Sequence, residues 1–238
     1  MVTGACLPNA LVPDVAARAR SGCLGVLMLE TRFPRLAEDI GNAASLPLPM
    51  LHRTVAGASP RRVVHGQDRT LLAPFIAAGL SLIAEGATAL TTSCGFLVLF
   101  QDELQDALPV PVWTSSLLKL PELQRPGVLT VDADALGPAH LRAAGAEPGV
   151  PVEGLAPGCH LQQTLLDDRP ELDRQRAEAD AVAAALRLVT RHPEIDSIVL
   201  ECTNLPPYAE AIARATGRTV HDLLTLLHER LDIGPPRR

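Results

Sequence analysis

The chain has 238 residues, 47% of them hydrophobic and only 3% aromatic, enough for one large α/β domain or two small ones with Leu, Val and Ala filling the core. A net charge of -6 and the lack of any basic stripe argue against nucleic acid or an anionic membrane surface as the main partner. Five widely spaced cysteines without a CxxC pair speak against a disulfide framework and a structural zinc.

No apolar run reaches the roughly 20 residues of a membrane span. The N-terminus lacks a basic signal-peptide region and is interrupted by Pro8 and Pro13. A reducing, cytoplasmic setting is therefore expected.

In chain order, "CLGVLMLE" (23–30) reads as a buried strand and "PLPMLHRTVAG" (47–57) as a second extended segment. Residues 68–86 place Leu72, Phe75, Ile76, Leu80 and Ile83 at helical spacing. Pro74 predicts a late start or a kink there, and Gly86 a stop. A strand over 87–93, a helix over 95–108 and a strand over 110–116 follow. The pattern then restarts: "GVLTVD" (127–132) echoes "GVLMLE" (25–30) at an offset of 102 residues, and Cys94 and Cys202 are 108 apart. Matching offsets predict two similar halves, residues 1–117 with Cys94 and 118–238 with Cys202.

The second half continues with a short helix after Gly137, a strand over 150–156 and a long helix near 170–192. The apolar stripe of that helix is read as Leu172, Ala179, Val182, Leu186 and Val189. Then come the strand "SIVLEC", the helix "YAEAIARATG", a short extended "RTVHD", the helix "LLTLLHERL" and a loose tail. Near-continuous apolar strands alternating with helices imply an α/β fold: two pseudo-symmetric lobes, each a mostly parallel sheet flanked by helices, with the last helices able to cross back to the first lobe.

Two of these strands end alike, in "LTTSCGF" (90–96) and "LECTNLPPY" (200–208). Ligands of open parallel sheets bind beyond the carboxyl ends of strands. There, a following helix N-terminus offers N–H groups to an anion and lowers a cysteine pKa from its usual value of about 8.5. Free cysteines usually act as small buried hydrophobes, which is the reading for Cys6, Cys23 and Cys159. Two thiols at corresponding strand ends suit a different task, taking a proton from one face of a carbon and returning one to the other. Glu201 precedes Cys202, and strand alternation sets it on the opposite side.

"TTSCGF", "LECTNLPPY", "EDIGN" (38–42) and "ATGRTVHDLLTLL" (215–227) together resemble the cofactor-independent aspartate/glutamate racemase superfamily, which includes hydantoin racemases, maleate isomerases and arylmalonate decarboxylases. The resemblance implies a site in the cleft between two lobes. It makes Cys94 and Cys202 the acid/base pair and Thr203 a binder of substrate carboxylate, with no PLP, metal or other cofactor.

Asn42, Thr92, Ser93, Gly95, Ser115, Ser116 and Asn204 are further candidates for substrate binding; Ser115 and Ser116 are also candidates for capping the next helix. The sequence departs from amino-acid racemases at Asn204, where the family carries histidine or glutamate, and at Gly95-Phe96, where it carries Asn-Thr. These departures turn the expectation away from glutamate and aspartate toward another small carboxylate. The expected activity is a racemase or epimerase of such a carboxylate, with no nucleic-acid or membrane partner; family members often dimerise. The alternatives are a one-cysteine decarboxylase or cis-trans isomerase, and a binding or assembly protein without turnover.

Overall fold

A computed structural model describes residues 22–234. Cys6, the N-terminal prolines and residues 235–238 of the expected loose tail "GPPRR" lie outside the described residues. Among the described residues, eight strands form two four-stranded sheets, both wholly parallel. The first contains β1 (Cys23–Met28), β2 (Met50–Thr54), β3 (Ala87–Thr92) and β4 (Val112–Trp113) in the order β2-β1-β3-β4. The second contains β5 (Pro126–Thr130), β6 (Val152–Gly154), β7 (Ser197–Leu200) and β8 (Thr219–His221) in the order β6-β5-β7-β8. Each half therefore repeats one topology. The chain passes between the sheets through a 3₁₀ segment, Ser116–Glu122.

The central strands β1, β3, β5 and β7 are buried almost throughout because helices cover both faces. Helix α1 (Leu72–Ala84) starts late, as Pro74 predicts, behind a 3₁₀ turn at Arg69–Leu71 capped by Asp68. Pro74 lies in its first turn, where a missing N–H leaves no intrahelical bond unmade. Gly86 follows the helix end at φ 107°. The predicted helix over 95–108 is instead a 3₁₀ segment, Gly95–Phe100, running into α2 (Gln101–Ala107). The predicted strand over 110–116 contracts to two residues. Gln101 accepts from the Thr114 N–H and donates to the Val112 carbonyl, and Gln105 accepts from the Val112 N–H. Side chains thus take bonds that a longer ladder would have used.

In the second half, α3 (Pro138–Ala143) and α5 (Arg174–Arg191) fall where expected. A helix the periodicity did not reveal, α4 (His160–Leu166), lies between β6 and α5. The predicted stripe of α5 is corrected. Its buried face is Ala177, Ala181, Ala184, Ala185 and Leu188, whereas Ala179 is exposed and Leu186 is 41% exposed. Alanines let the helix backbone approach the second sheet closely, and the larger residues flank that contact. After α6 (Ala209–Thr216) and β8, the chain ends its described part in α7 (Leu223–Leu231). This helix buries Leu223, Leu224, Leu227 and Leu231 against Leu24, Val26 and Ile40 of the first half.

Asp222 starts α7 with a reciprocal capping box: its carboxylate accepts from the Thr225 N–H at 2.8 Å, and Thr225 Oγ1 accepts from the Asp222 N–H at 2.8 Å. Asp222→Ala is expected to lower stability by about 1 kcal/mol, read as a shift of the urea midpoint with an unchanged slope. Among the described residues, no helix is long and apolar enough to cross a membrane.

Candidate active site

The two repeated strand ends meet. β3 runs out into Ser93 and Cys94, and β7 into Glu201, Cys202 and Thr203. Thr203 Oγ1 donates to the Ser93 carbonyl at 2.7 Å, and Ser116 Oγ to the Leu200 carbonyl at 2.6 Å, so each half grips the other's strand end. Between them lies one pocket with an empty volume of about 370 Å³, including its open mouth. Both thiols line it, with Ser93, Gly95, Glu201, Thr203 and Asn204. The remaining wall is apolar: Leu29, Phe33, Pro60, Val64, Phe96, Val131, Leu165 and Leu166. The last two come from α4.

Cys94 has extended backbone (φ -154°, ψ 118°) and heads the 3₁₀ segment, so the Phe96 and Leu97 N–H groups point at its sulfur. The Asn204 N–H does the same for Cys202. These dipoles do not lower the thiol pKa values, contrary to the sequence expectation. Burial, followed by the charge of Glu201, pushes Cys94 up to about 12 and Cys202 well above its ordinary value. Desolvation disfavours the charged thiolate more than two amide dipoles favour it.

Glu201 corrects the sequence reading most clearly. β7 ends at Leu200, so strand alternation no longer governs residue 201. Its side chain is fully buried and lines the pocket. Oε2 accepts from Thr130 Oγ1 at 2.7 Å, and Oε1 has no hydrogen-bond partner. Burial, only partly offset by the Thr130 hydrogen bond, raises its pKa to about 8. Glu201 is thus neutral in the folded protein over a range where it is ionised in the unfolded chain. The folded state then holds the extra proton, so this contribution to stability falls as pH rises from about 4.5 through about 8. Glu201→Gln is expected to remove that decline: calorimetry should show its Tm gaining on the native protein's between pH 5 and pH 8.5.

Asp39, within the "EDIGN" motif, is also buried. It pairs with Arg35 at 3.1 Å, accepts from the Gly41 N–H at 2.7 Å and accepts a short hydrogen bond from Asn204 Nδ2. Asn204 Oδ1 in turn lies 3.7 Å from the Cys202 sulfur as acceptor. Asn204 thereby connects Cys202 to an acid of the other half without itself taking a proton. Burial raises the Asp39 pKa against the opposing pull of Arg35.

The other sequence candidates lie around this centre. Thr92 Oγ1 sits within hydrogen-bond distance of the Cys94 and Thr114 carbonyls, 2.9 and 2.7 Å, and does not line the pocket. Ser115 caps the Ser116–Glu122 segment by accepting from the Leu117 N–H, and both serines are fully buried outside the pocket lining. Asn42 spends its amide inside its own loop, donating to the Arg35 carbonyl and accepting from the Ala44 N–H. None of His52, His65, His160 and His221 lines the pocket.

This architecture is found in solved structures of the racemase superfamily. Allantoin racemase from Klebsiella pneumoniae superposes with a TM-score of 0.64 over 90% of both chains at 15% identity. Arylmalonate decarboxylase superposes with a TM-score of 0.57 over 83% of this chain and 86% of its own, at 15% identity. The resemblance read from the cysteine motifs therefore holds at the level of fold.

By sequence, the chain is similar to a dimethylsulfoniopropionate lyase of Durusdinium sp. clade D, 27% identical over 227 residues, which cover 89% of this chain and 75% of that protein. Dimethylsulfoniopropionate lyase 7 of Emiliania huxleyi is 27% identical over 221 residues, covering 85% of this chain and 64% of its own length. No protein-family model matches the chain.

Proposed function

We propose that the protein is a cofactor-independent enzyme that takes a proton from the carbon beside a small substrate's carboxylate, and that elimination follows. The observation carrying this reading is that Cys94 and Cys202, from matching strand ends of two halves, line one and the same pocket. The substrate class is a short carboxylate with a sulfonium group on its β-carbon, of which dimethylsulfoniopropionate is the probe suggested by the sequence relatives.

In this reaction a pocket thiolate takes the α-proton. The C–H electron pair becomes the new double bond, and the C–S pair leaves with a neutral dialkyl sulfide. The products are an unsaturated acid, the sulfide and a protonated cysteine that returns its proton to water. A sulfonium leaves without charge, so the chain needs to supply only a positioned base.

The wall chemistry supports this substrate class. An ammonium group brings N–H donors that each require an acceptor, and the side chains offer little beyond Glu201 and Asn204 among apolar residues. A sulfonium demands no hydrogen bonds and is accommodated by an apolar wall that includes Phe96 and by a nearby carboxylate. The Thr203 hydroxyl donates to the Ser93 carbonyl and is not free to donate to a substrate carboxylate, the role the family resemblance implied for it.

Racemisation is the second reading, favoured by the presence of two thiols where elimination needs one. Proton NMR in deuterated water separates the two. With dimethylsulfoniopropionate, the vinyl signals of acrylate and release of dimethyl sulfide are expected. Inversion and α-deuteration of chiral 2-substituted acids, without elimination, would transfer the assignment to racemase.

A further inference from the structure

Glu201 has a part that neither the cysteine motifs nor the relatives assign. It is fully buried, one of its oxygens has no hydrogen-bond partner, and it lines the same pocket as both cysteines. It adjoins Cys202 in the chain. It also presses on the residue after Cys94: a Cβ on Gly95 would lie 2.4 Å from Glu201 Oε1. Its charge raises both thiols. The position following Cys-Thr, where related racemases carry an acid or histidine, is Asn204 here and cannot accept a proton. Resting on the reading that Cys94 and Cys202 transfer protons, we propose that Glu201 is their shared proton acceptor: a pocket thiol gives its proton to Oε1, breaking S–H and forming O–H, and the resulting thiolate faces the ligand.

The surroundings fit one negative charge moving among three groups. Two thiols and one carboxyl share the site, and Thr130 from β5 donates to the oxygen not used for the transfer. The other charged groups acting there are Arg35 and Asp39, which form an ion pair with each other at 3.1 Å. Of the three proton holders, Glu201 ionises first, at about 8, whereas the thiols lie far higher. The negative charge therefore rests on Glu201 until a thiol is needed. Glu201 acts through the sulfurs, as a positioning residue for their protons.

A substrate-free experiment tests this against mere electrostatic proximity, because the two predict opposite signs. The rate of alkylation of Cys94 and Cys202 by iodoacetamide is followed by peptide mass spectrometry from pH 6 to 10, with Cys23 and Cys159 as internal references. As acceptor, Glu201 gives the native protein a rise in pocket-thiol reactivity near pH 8. In Glu201→Gln that rise disappears, and alkylation at pH 8.5 falls about tenfold or more; Glu201→Asp restores part of it.

Equal or faster alkylation in Glu201→Gln would overturn the proposal, as would a native profile with no step. Should Glu201→Gln fold poorly, Thr130→Val keeps the acid and removes its donor. The step should then move to higher pH, and an unmoved step would overturn the proposal. Absence of product from any carboxylate, with the step retained, would reject the proposed reaction while leaving the acceptor role standing.

Discussion

Replacing Cys94 or Cys202 by serine should leave folding intact and cut turnover, by about 10²- to 10⁴-fold for the cysteine that takes the α-proton, the range a positioned acid or base contributes. Serine is nearly isosteric but a far weaker acid, so it preserves the packing and loses the proton transfer. The pattern across the two variants carries as much information as the size of the loss. Elimination needs one base, so one variant falls by the full amount and the other by less than about tenfold. Racemisation needs a group on each face, and both variants fall together. kcat measured for each variant on dimethylsulfoniopropionate, and on a chiral acid, reads this directly. Full activity in both variants would remove the thiols from the chemistry.

Gly95→Ala should be the most damaging small substitution in the site. Its Cβ would lie 2.3 Å from the Glu201 carbonyl oxygen, 2.4 Å from Glu201 Oε1 and 2.9 Å from Ser115 Oγ. The closest of these is backbone, held where the Glu201 N–H donates to the Leu129 carbonyl, and cannot swing away as a side-chain tip would. Overpacking of this kind costs about 1–3 kcal/mol. Relief requires parting the two strand ends, which moves Cys94 relative to Cys202. The urea midpoint should fall, and the surviving folded fraction should have lost most of its activity. A variant with native stability and native kcat would show that the strand ends tolerate separation.

Much of this site was legible in the sequence because it depends on local pattern. Apolar runs ending in Thr-Ser-Cys and Glu-Cys-Thr marked two strand ends, and their near-equal offsets marked a repeat, which the identical strand orders of the two sheets display. What escaped depends on where elements stop and on distant contacts. Glu201 was set aside by strand alternation, yet alternation ceases one residue before it, at Leu200.

Asp39 lies 165 residues from Asn204, and no local signal joins them. Helix α4 carries only Leu161 and Leu165 at helical spacing inside a polar stretch, too short a stripe to read, although its end forms part of the pocket wall. The thiol pKa values reversed for a similar reason. A helix N-terminus is visible in sequence, whereas the burial that outweighs it is set by the other half of the molecule.

The most direct measurement is the rate of acrylate formation from dimethylsulfoniopropionate deuterated at both α-positions, compared with the unlabelled substrate. Removal of the α-proton by a pocket sulfur predicts that deuteration lowers kcat/KM severalfold. Equal kcat/KM for the two substrates, or no acrylate from either, would contradict it.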